Sequence, residues 1–247
     1  QPLTGQSSCT DASAGYYVDT TASTTQTACA VGTYNSNTGS TSSSACIDAS
    51  AGHYVGSTGS ASQTPCAAGT YQPSTGQSSC IDSSVGHYVG STGSSSQTPC
   101  AVGTYQPSTG QSSCTDASAG HYVDTTASTT QTPCSTGTYQ PLTGQSSCID
   151  SSAGYYVENT GSTNQTACDL GTFQNQTGQD SCTDASAGYY VDTTASTTQT
   201  ACALGTYQPL TGQSSCTDAS AGYYVGSTGS ASQTPCAAGT YQPLTGQ

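Results

Sequence analysis

Lysine, arginine, methionine and tryptophan are absent from this chain of 247 residues, and phenylalanine occurs once. Without Lys or Arg the chain has no group that could neutralise phosphates, so we expect no nucleic-acid partner and no attraction to anionic membrane surfaces. The 13 acidic residues give a net charge of −13. Salt bridges between side chains are therefore nearly impossible, and the surface is uniformly anionic.

Large apolar residues are also scarce, since Leu, Ile, Val and Phe together number 20. So low a content usually leaves a chain disordered, because little apolar surface can offset the chain entropy. No segment resembles a membrane span. The 14 cysteines are the remaining source of order. Their even number in a core-poor chain predicts disulfides and an extracellular or cell-surface location, and the lack of a CxxC pair argues against zinc.

The cysteines mark an internal repeat of about 34 residues, present seven times. Their spacings alternate between 20 and 14 residues except from Cys29 to Cys46, where three extra residues lie between Asn35 and Ala45. Such an array is built by stacking one small unit. We expect one continuous array over 1–247, with units at 1–28 (partial), 29–65 (with the insertion), 66–99, 100–133, 134–167, 168–201, 202–235 and 236–247 (partial).

Each period divides into two similar halves, and each half places an aromatic residue two positions after a glycine. The stretches 73–76 (PSTG) and 90–93 (GSTG) then carry turn residues. The pattern predicts two short β-hairpins per period and no helix. The fold class is therefore a small disulfide-rich all-β protein, an elongated solenoid or rod of tandem β-hairpin repeats.

The aromatic residues of the first half are the largest apolar surfaces available, so we expect them to form a thin core. An exposed aromatic ladder that binds sugars is the alternative. These core aromatics are Tyr34, Tyr71, Tyr105, Tyr139, Phe173, Tyr207 and Tyr241.

Acidic and imidazole side chains recur with the repeat. An aspartate follows one cysteine of every period at the second position, and it is expected either to cap an Asx-turn or to bind Ca²⁺. One carboxylate per period is a thin supply for an ion that needs six or more oxygens, so we expect no cofactor. His53, His87 and His121 occupy a position where other periods carry tyrosine, which indicates a flat, partly exposed ring rather than a metal ligand or pH switch.

Ser and Thr number 87, a composition similar to that of glycosylated stalks. Threonines that precede proline are candidates for O-glycosylation: Thr64, Thr98, Thr132 and Thr234. Two N-x-Thr sequons make Asn164 and Asn175 candidates for N-glycosylation. We therefore expect covalent glycans on the chain.

The disulfide pairing is open from the residues alone, because hairpin closures over 14 and over 20 residues are equally feasible. The segment 66–80 (CAAGTYQPSTGQSSC) resembles the first sub-module of the cysteine-rich repeats of tumour necrosis factor receptors, and it is similar to ephrin-receptor-like cysteine-rich repeats. The motif recurs from Cys29, Cys66, Cys100, Cys134, Cys168 and Cys202.

In the family that this motif resembles, the two cysteines of the sub-module bond to each other. The resemblance therefore implies the pairs Cys29–Cys46, Cys66–Cys80, Cys100–Cys114, Cys134–Cys148, Cys168–Cys182 and Cys202–Cys216, with Cys9 and Cys236 pairing beyond the sequence given. Receptor repeats typically carry six cysteines, whereas these carry two. Ligand binding by receptor loops is therefore not transferred to this chain.

These features favour a structural function. The leading hypothesis is a subunit of an extracellular, glycosylated filament, stalk or cell-surface appendage that assembles with copies of itself. The alternative is an adhesin or receptor-like ectodomain that binds a protein or a glycan, and a third hypothesis is ice binding through regularly placed threonines. Catalysis is not expected, because every Ser, His and Asp recurs as part of the repeat and no distinctive nucleophile–base pair stands out.

Overall fold

A computed structural model describes residues 4–247, and the strands in it are all very short. Every strand has two residues, and the strands form 13 separate two-stranded antiparallel sheets within the described residues. Residues 4–247 contain no α-helix; one turn of 3-10 helix, Ser43–Ala45, lies in the insertion. The predicted small disulfide-rich all-β class of tandem hairpins is confirmed.

The chain divides into two compact units. The first covers the chain up to Asp116 and also Val123–Thr130, and the second consists of Ala117–Tyr122 and Gln131–Gln247. The hairpins of the first unit pair β1 (Tyr16–Tyr17) with β2 (Thr27–Ala28), β3 (Thr33–Tyr34) with β4 (Ile47–Asp48), β5 (His53–Tyr54) with β6 (Thr64–Pro65), β7 (Thr70–Tyr71) with β8 (Ile81–Asp82), β9 (His87–Tyr88) with β10 (Thr98–Pro99), and β11 (Thr104–Tyr105) with β12 (Thr115–Asp116).

The second unit contains the same element in tandem. Its hairpins pair β13 (His121–Tyr122) with β14 (Thr132–Pro133), β15 (Thr138–Tyr139) with β16 (Ile149–Asp150), β17 (Tyr155–Tyr156) with β18 (Thr166–Ala167), β19 (Thr172–Phe173) with β20 (Thr183–Asp184), β21 (Tyr189–Tyr190) with β22 (Thr200–Ala201), β23 (Thr206–Tyr207) with β24 (Thr217–Asp218), and β25 (Tyr223–Tyr224) with β26 (Thr234–Pro235).

One hairpin corresponds to half of the 34-residue sequence period. In the β7–β8 hairpin, Tyr71 lies opposite Ile81 and Thr70 opposite Asp82. The next hairpin repeats this register, with Tyr88 opposite Thr98. Aromatic and β-branched residues favour strands and pair well across them. The structural unit is therefore a hairpin of about 17 residues that occurs in two sequence versions.

Backbone hydrogen bonds tie each hairpin to the next one within a unit. The Gly69 N–H donates to the carbonyl oxygen of Val89 (2.8 Å), and the Gly93 N–H donates back to that of Cys66 (2.8 Å). A third bond links the residue after a paired aromatic to the loop of the following hairpin, as the Gln72 N–H donates to the Ser94 carbonyl oxygen (3.1 Å). Because the same bonds recur in both units, the loops between strands are ordered by their neighbours and not by a large core.

The close approach of hairpins that lie one full repeat apart depends on glycine. Gly171 has a φ of +81°, and a Cβ on it would overlap the carbonyl oxygen of Gly212. Only glycine adopts such a conformation without strain and leaves room for a second backbone. The close approach and the positive φ are the reasons that each half-period has a glycine two positions before its aromatic residue.

The core consists of small and medium-sized side chains and not of the aromatic residues that the sequence predicted. Fully buried small residues, such as Cys66 and Ser83, start successive hairpins, and Val89 (2% exposed) alternates with Gln72 (5% exposed) behind them. The buried Gln72 amide is satisfied, because it donates to the Ser79 carbonyl and accepts from a backbone N–H. Hydrogen-bonded amides thus replace apolar side chains in alternate hairpins.

The predicted core position of the aromatics is wrong. Six of them are half-buried and Tyr241 is 86% exposed; the half-buried set is Tyr34, Tyr71, Tyr105, Tyr139, Phe173 and Tyr207. The space between hairpins that touch through their backbones is too thin for a ring. The rings therefore lie on the flanks of the hairpins, where one part of each is covered and the rest faces solvent.

Three alanines adopt the left-handed backbone conformation that glycine occupies at equivalent positions. Ala195 has a φ of 57°, whereas the equivalent Gly161 has a φ of 71°. We expect Ala195→Gly to raise the free energy of unfolding by about 1 kcal/mol, because the strain of a Cβ in this conformation is removed. Gly161→Ala should lower the free energy of unfolding by a similar amount, because it introduces the same strain. No clash adds to this loss, since the added Cβ meets nothing closer than 3.8 Å. Calorimetry of the two variants checks both signs.

Candidate functional site

Six disulfides cross-link alternate hairpins in the structure. They join Cys29 to Cys46, Cys66 to Cys80, Cys100 to Cys114, Cys134 to Cys148, Cys168 to Cys182 and Cys202 to Cys216. These are the six pairs that the family resemblance implied. Five of them close 14 residues and the first closes 17. Cys9 and Cys236 have no partner within residues 4–247, and their pairing beyond the sequence given stays a prediction.

The hairpins without a disulfide are closed by a glutamine at the matching position. Gln97 occupies the place of Cys80, 17 residues later, and its Oε1 accepts from the Ser84 N–H (2.7 Å). The residue that matches Cys66 is Ser83, which is also fully buried. A hydrogen bond in one hairpin thus replaces the covalent bond in the next. Sequence reasoning missed this role of glutamine; the 17-residue spacing of Gln after Cys was the available signal.

The first strand of every cysteine-free hairpin carries either tyrosine or histidine at its first residue. The Nδ1 of His87 lies 3.1 Å from the carbonyl oxygen of Val85, so this nitrogen donates the hydrogen bond. A Cβ on Gly93 would lie 3.7 Å from the ring of His53, which places that ring over the following repeat. The exchange of Tyr for His therefore preserves a flat ring that covers a glycine.

Six of the seven repeated aspartates lie in strands, and Asp11 lies in neither a strand nor a turn. Asp82 is the exposed second residue of β8, and a Cβ on Gly110 would lie 3.5 Å from its carboxyl carbon. No side-chain hydrogen bond from a backbone N–H reaches the repeated aspartates in the described part of the chain, so the Asx-turn interpretation is wrong. These residues are Asp11, Asp48, Asp82, Asp116, Asp150, Asp184 and Asp218.

Three carboxylates line one surface recess of the second unit. Glu158, Asp169 and Asp180 line, together with Tyr156, a surface recess of about 690 Å³. Two of the carboxylates already accept hydrogen bonds, Asp169 from the Leu170 N–H and Asp180 from a serine hydroxyl. Over residues 4–247, no three His, Cys, Asp or Glu side chains converge in a way that could hold a metal ion.

Hydroxyl groups fall into two classes, and the first class is engaged in local hydrogen bonds. Thr70, at the start of β7, donates its hydroxyl to the Ala67 carbonyl oxygen (2.9 Å). Ser94, in the loop of the next hairpin, donates to the Ser91 carbonyl (2.7 Å). Equivalent bonds recur along both units, so these hydroxyls stabilise turns.

The second class is the first residue of the second strand of each hairpin, which is always β-branched and always exposed. It is isoleucine in three hairpins and threonine in ten, and we call the ten the second-strand threonines: Thr27, Thr64, Thr98, Thr115, Thr132, Thr166, Thr183, Thr200, Thr217 and Thr234. Within residues 4–247, none of their hydroxyls makes a hydrogen bond. Each lies directly across from an aromatic residue, as Thr98 does from Tyr88.

The predicted glycosylation sites all lie on the surface. Thr64, Thr98, Thr132 and Thr234, the four Thr-Pro threonines, belong to the second-strand threonines and are exposed. Asn164 and Asn175 are exposed as well. Asn164 lies in a bend two residues before the start of β18, and Asn175 lies two residues after the end of β19. The six other second-strand threonines lack a following proline, and their equivalence to these four appears only at the 17-residue spacing.

Short cross-linked hairpins in tandem, each hydrogen-bonded to its neighbour, define a cysteine-rich repeat of the type found in extracellular ectodomains. Residues 52–100, 86–134 and 120–168 match the family described as tyrosine-protein kinase ephrin type A/B receptor-like. Over residues 52–168 the resemblance to ephrin-receptor-like cysteine-rich repeats is confirmed. Each matched segment starts at the glycine before a histidine and ends at a cysteine. No curated protein matches the chain.

The family match bears on the kind of function that the repeats have. Cysteine-rich repeats of this receptor-like type are non-catalytic domains, and they occur in receptor-like or structural ectodomains. Among residues 4–247 there is no helix with the length and apolar character needed to cross a membrane.

Proposed function

We propose that this chain is a structural subunit of an extracellular, glycosylated filament, stalk or cell-surface appendage. The observation that carries the proposal is the regular hydrogen bonding between successive hairpins, exemplified by the bond from the Gly69 N–H to the Val89 oxygen. Every hairpin makes the same contacts as its neighbours, so length is added without a change in structure. A cross-link in every second hairpin keeps this arrangement stable outside the cell.

Electrostatics supports the same function. All charges on the chain at neutral pH are negative, with a net charge of −13. Like charges keep copies apart in solution. Lateral association into a filament then requires sugars or cations between copies, which is why the proposal includes covalent glycans at the exposed threonines and at Asn164 and Asn175.

Small-angle scattering and electron microscopy of the oxidised, secreted full chain test the structural function. We expect particles of constant cross-section that scatter as stiff bodies, together with bundles in glycosylated material. Reduction with alkylation of all cysteines should convert the scattering to that of a flexible coil. Alkylation without reductant, which leaves the six disulfides in place, is the matched control and should change nothing. Flexible monomers in the oxidised sample would contradict the proposal.

The alternative function is a receptor-like ectodomain or adhesin that binds a protein or a glycan. The match to an ephrin type A/B receptor-like family favours it. This alternative predicts a non-repetitive domain in the full-length gene product, since near-identical repeats offer no distinctive binding surface. A gene that encodes further copies of the repeat and no such domain would favour the structural function.

A further inference from the structure

We propose that the second-strand threonines are sites of O-linked glycosylation and that each attached sugar packs on the aromatic ring across the hairpin. This inference rests on the extracellular location in the proposed function, and it extends the four Thr-Pro candidates to ten positions. The ten threonines are exposed and in strands, and no other group uses their hydroxyls.

The hydrogen bonding separates these threonines from many other hydroxyls of the chain. The hydroxyl of Thr104 donates to the Ala101 carbonyl (2.8 Å), and that of Ser128 donates to the Thr125 carbonyl (2.8 Å). A glycan on either oxygen would remove the proton of that bond. Thr115, which belongs to the same hairpin as Thr104, has no such bond to lose. Modification of second-strand threonines therefore leaves the turns of the fold intact.

The residue across the hairpin gives these positions a second property. Residues opposite each other in an antiparallel pair point to the same side, with Cβ atoms about 5 Å apart. Thr98 lies opposite Tyr88, and Thr132 lies opposite Tyr122; both rings are half-buried. A pyranose on the threonine oxygen reaches the neighbouring ring with its apolar C–H face. Residues in turns and bends, such as Thr92 in a turn, lie outside the strands and have no residue paired across from them.

The charge of the chain favours a neutral sugar over phosphate as the modification. A phosphothreonine is stabilised by Arg or Lys or by a helix N-terminus. The chain has neither Lys nor Arg and a net charge of −13, so phosphate at these positions would be repelled by the nearby aspartates. A neutral hexose or N-acetylhexosamine adds no charge.

The chemical step needs an activated sugar and a transferase of the secretory route. The Oγ1 of the threonine attacks the anomeric carbon of a sugar–nucleoside diphosphate. A C–O bond forms, the bond from the anomeric carbon to the diphosphate breaks, and the nucleoside diphosphate leaves with the electron pair. The hydroxyl proton passes to a base of the transferase.

Site-resolved mass spectrometry of the full chain, secreted from eukaryotic cells, tests the proposal. The protein is reduced and then cut at its acidic residues, because it has no Lys or Arg for trypsin. We expect hexose or N-acetylhexosamine on the second-strand threonines and none on the engaged threonines. Sugars confined to bend residues, phosphate in place of sugar, or unmodified second-strand threonines would each overturn the proposal.

Two matched variants make the test independent of folding and assembly. Thr98→Val keeps a β-branched residue opposite Tyr88 and should lose one sugar mass from its peptide. Ile81→Thr places a hydroxyl opposite Tyr71, at a position where the natural residue cannot be modified, and should gain one sugar mass. Scattering of the same samples reports on the stiff particle separately, so failure of the glycan proposal and failure of the structural function are distinguishable.

Discussion

Replacing Gly171 with alanine is expected to lower the free energy of unfolding of the second unit by about 3 kcal/mol or more. Two costs add together at this position. The φ of +81° strains any residue with a Cβ, and the new Cβ would overlap the carbonyl oxygen of Gly212 in the following repeat. The overlap involves two backbones that are fixed by hydrogen bonds, so no side chain can move to relieve it. Calorimetric unfolding of the oxidised protein measures the loss.

Gly161→Ala is the matched control. Gly161 has a φ of +71°, but a Cβ on it meets nothing closer than 3.8 Å. Only the backbone strain remains, so we expect a loss of about 1 kcal/mol. The difference between the two variants isolates the contact between neighbouring backbones. Equal losses at the two positions would show that this contact does not require glycine.

The second large effect concerns the hairpins that are closed by a glutamine hydrogen bond and not by a disulfide. Ala185 and Gln199 match Cys168 and Cys182, 17 residues later, and cysteines at the matching positions have Cα atoms 5.8 Å apart. The double variant Ala185→Cys/Gln199→Cys should form a disulfide over 14 residues. The loop-closure model gives a stabilisation of about 3 kcal/mol for this loop size, less the hydrogen bond from the Ser186 N–H to Gln199. Calorimetry with and without reductant reports the gain.

The reverse exchange is the control for this prediction. Cys100→Ala/Cys114→Gln replaces a covalent closure by the residues that close the neighbouring hairpins. We expect a loss of about 3 kcal/mol with retention of the fold, because the new glutamine can accept from the Ala101 N–H. A fold that fails without this disulfide would contradict the equivalence of the two closures. A gain in the first variant that survives reduction would mean that the added cysteines act without bonding.

The sequence was sufficient for the fold class and for the repeat. The alternation of Gly-x-aromatic with turn residues is a local signal, and hairpins form from local signals. The family resemblance implied the same cysteine pairs that the structure contains, whereas spacing alone allowed two closures. The pair Cys66–Cys80 and the 20-residue alternative, Cys80–Cys100, differ only in which of two successive hairpins is closed. The spacing of the cysteines therefore could not decide between them.

The core and the candidate site could not be predicted in the same way. Composition suggested that tyrosines such as Tyr71 are buried, since they are the largest apolar groups. Burial depends instead on how closely hairpins one repeat apart approach, and glycines such as Gly69 bring the backbones too near for a ring to fit. Gln72 is buried although its side chain is polar, so its composition gave no reason to place it in the core. Its role follows from two hydrogen bonds that exist only after the hairpin has formed.

The alternation of covalent and hydrogen-bonded hairpins has a mechanical consequence. When the two ends of the chain are pulled apart, the residues between two bonded cysteines cannot extend. A loop closed only by the hydrogen bond of Gln97 can open, and its residues then add to the length of the chain. The protein would then yield in small steps at every second hairpin and refold from the intact loops between them. A filament of the kind proposed above would absorb a sudden load without breaking.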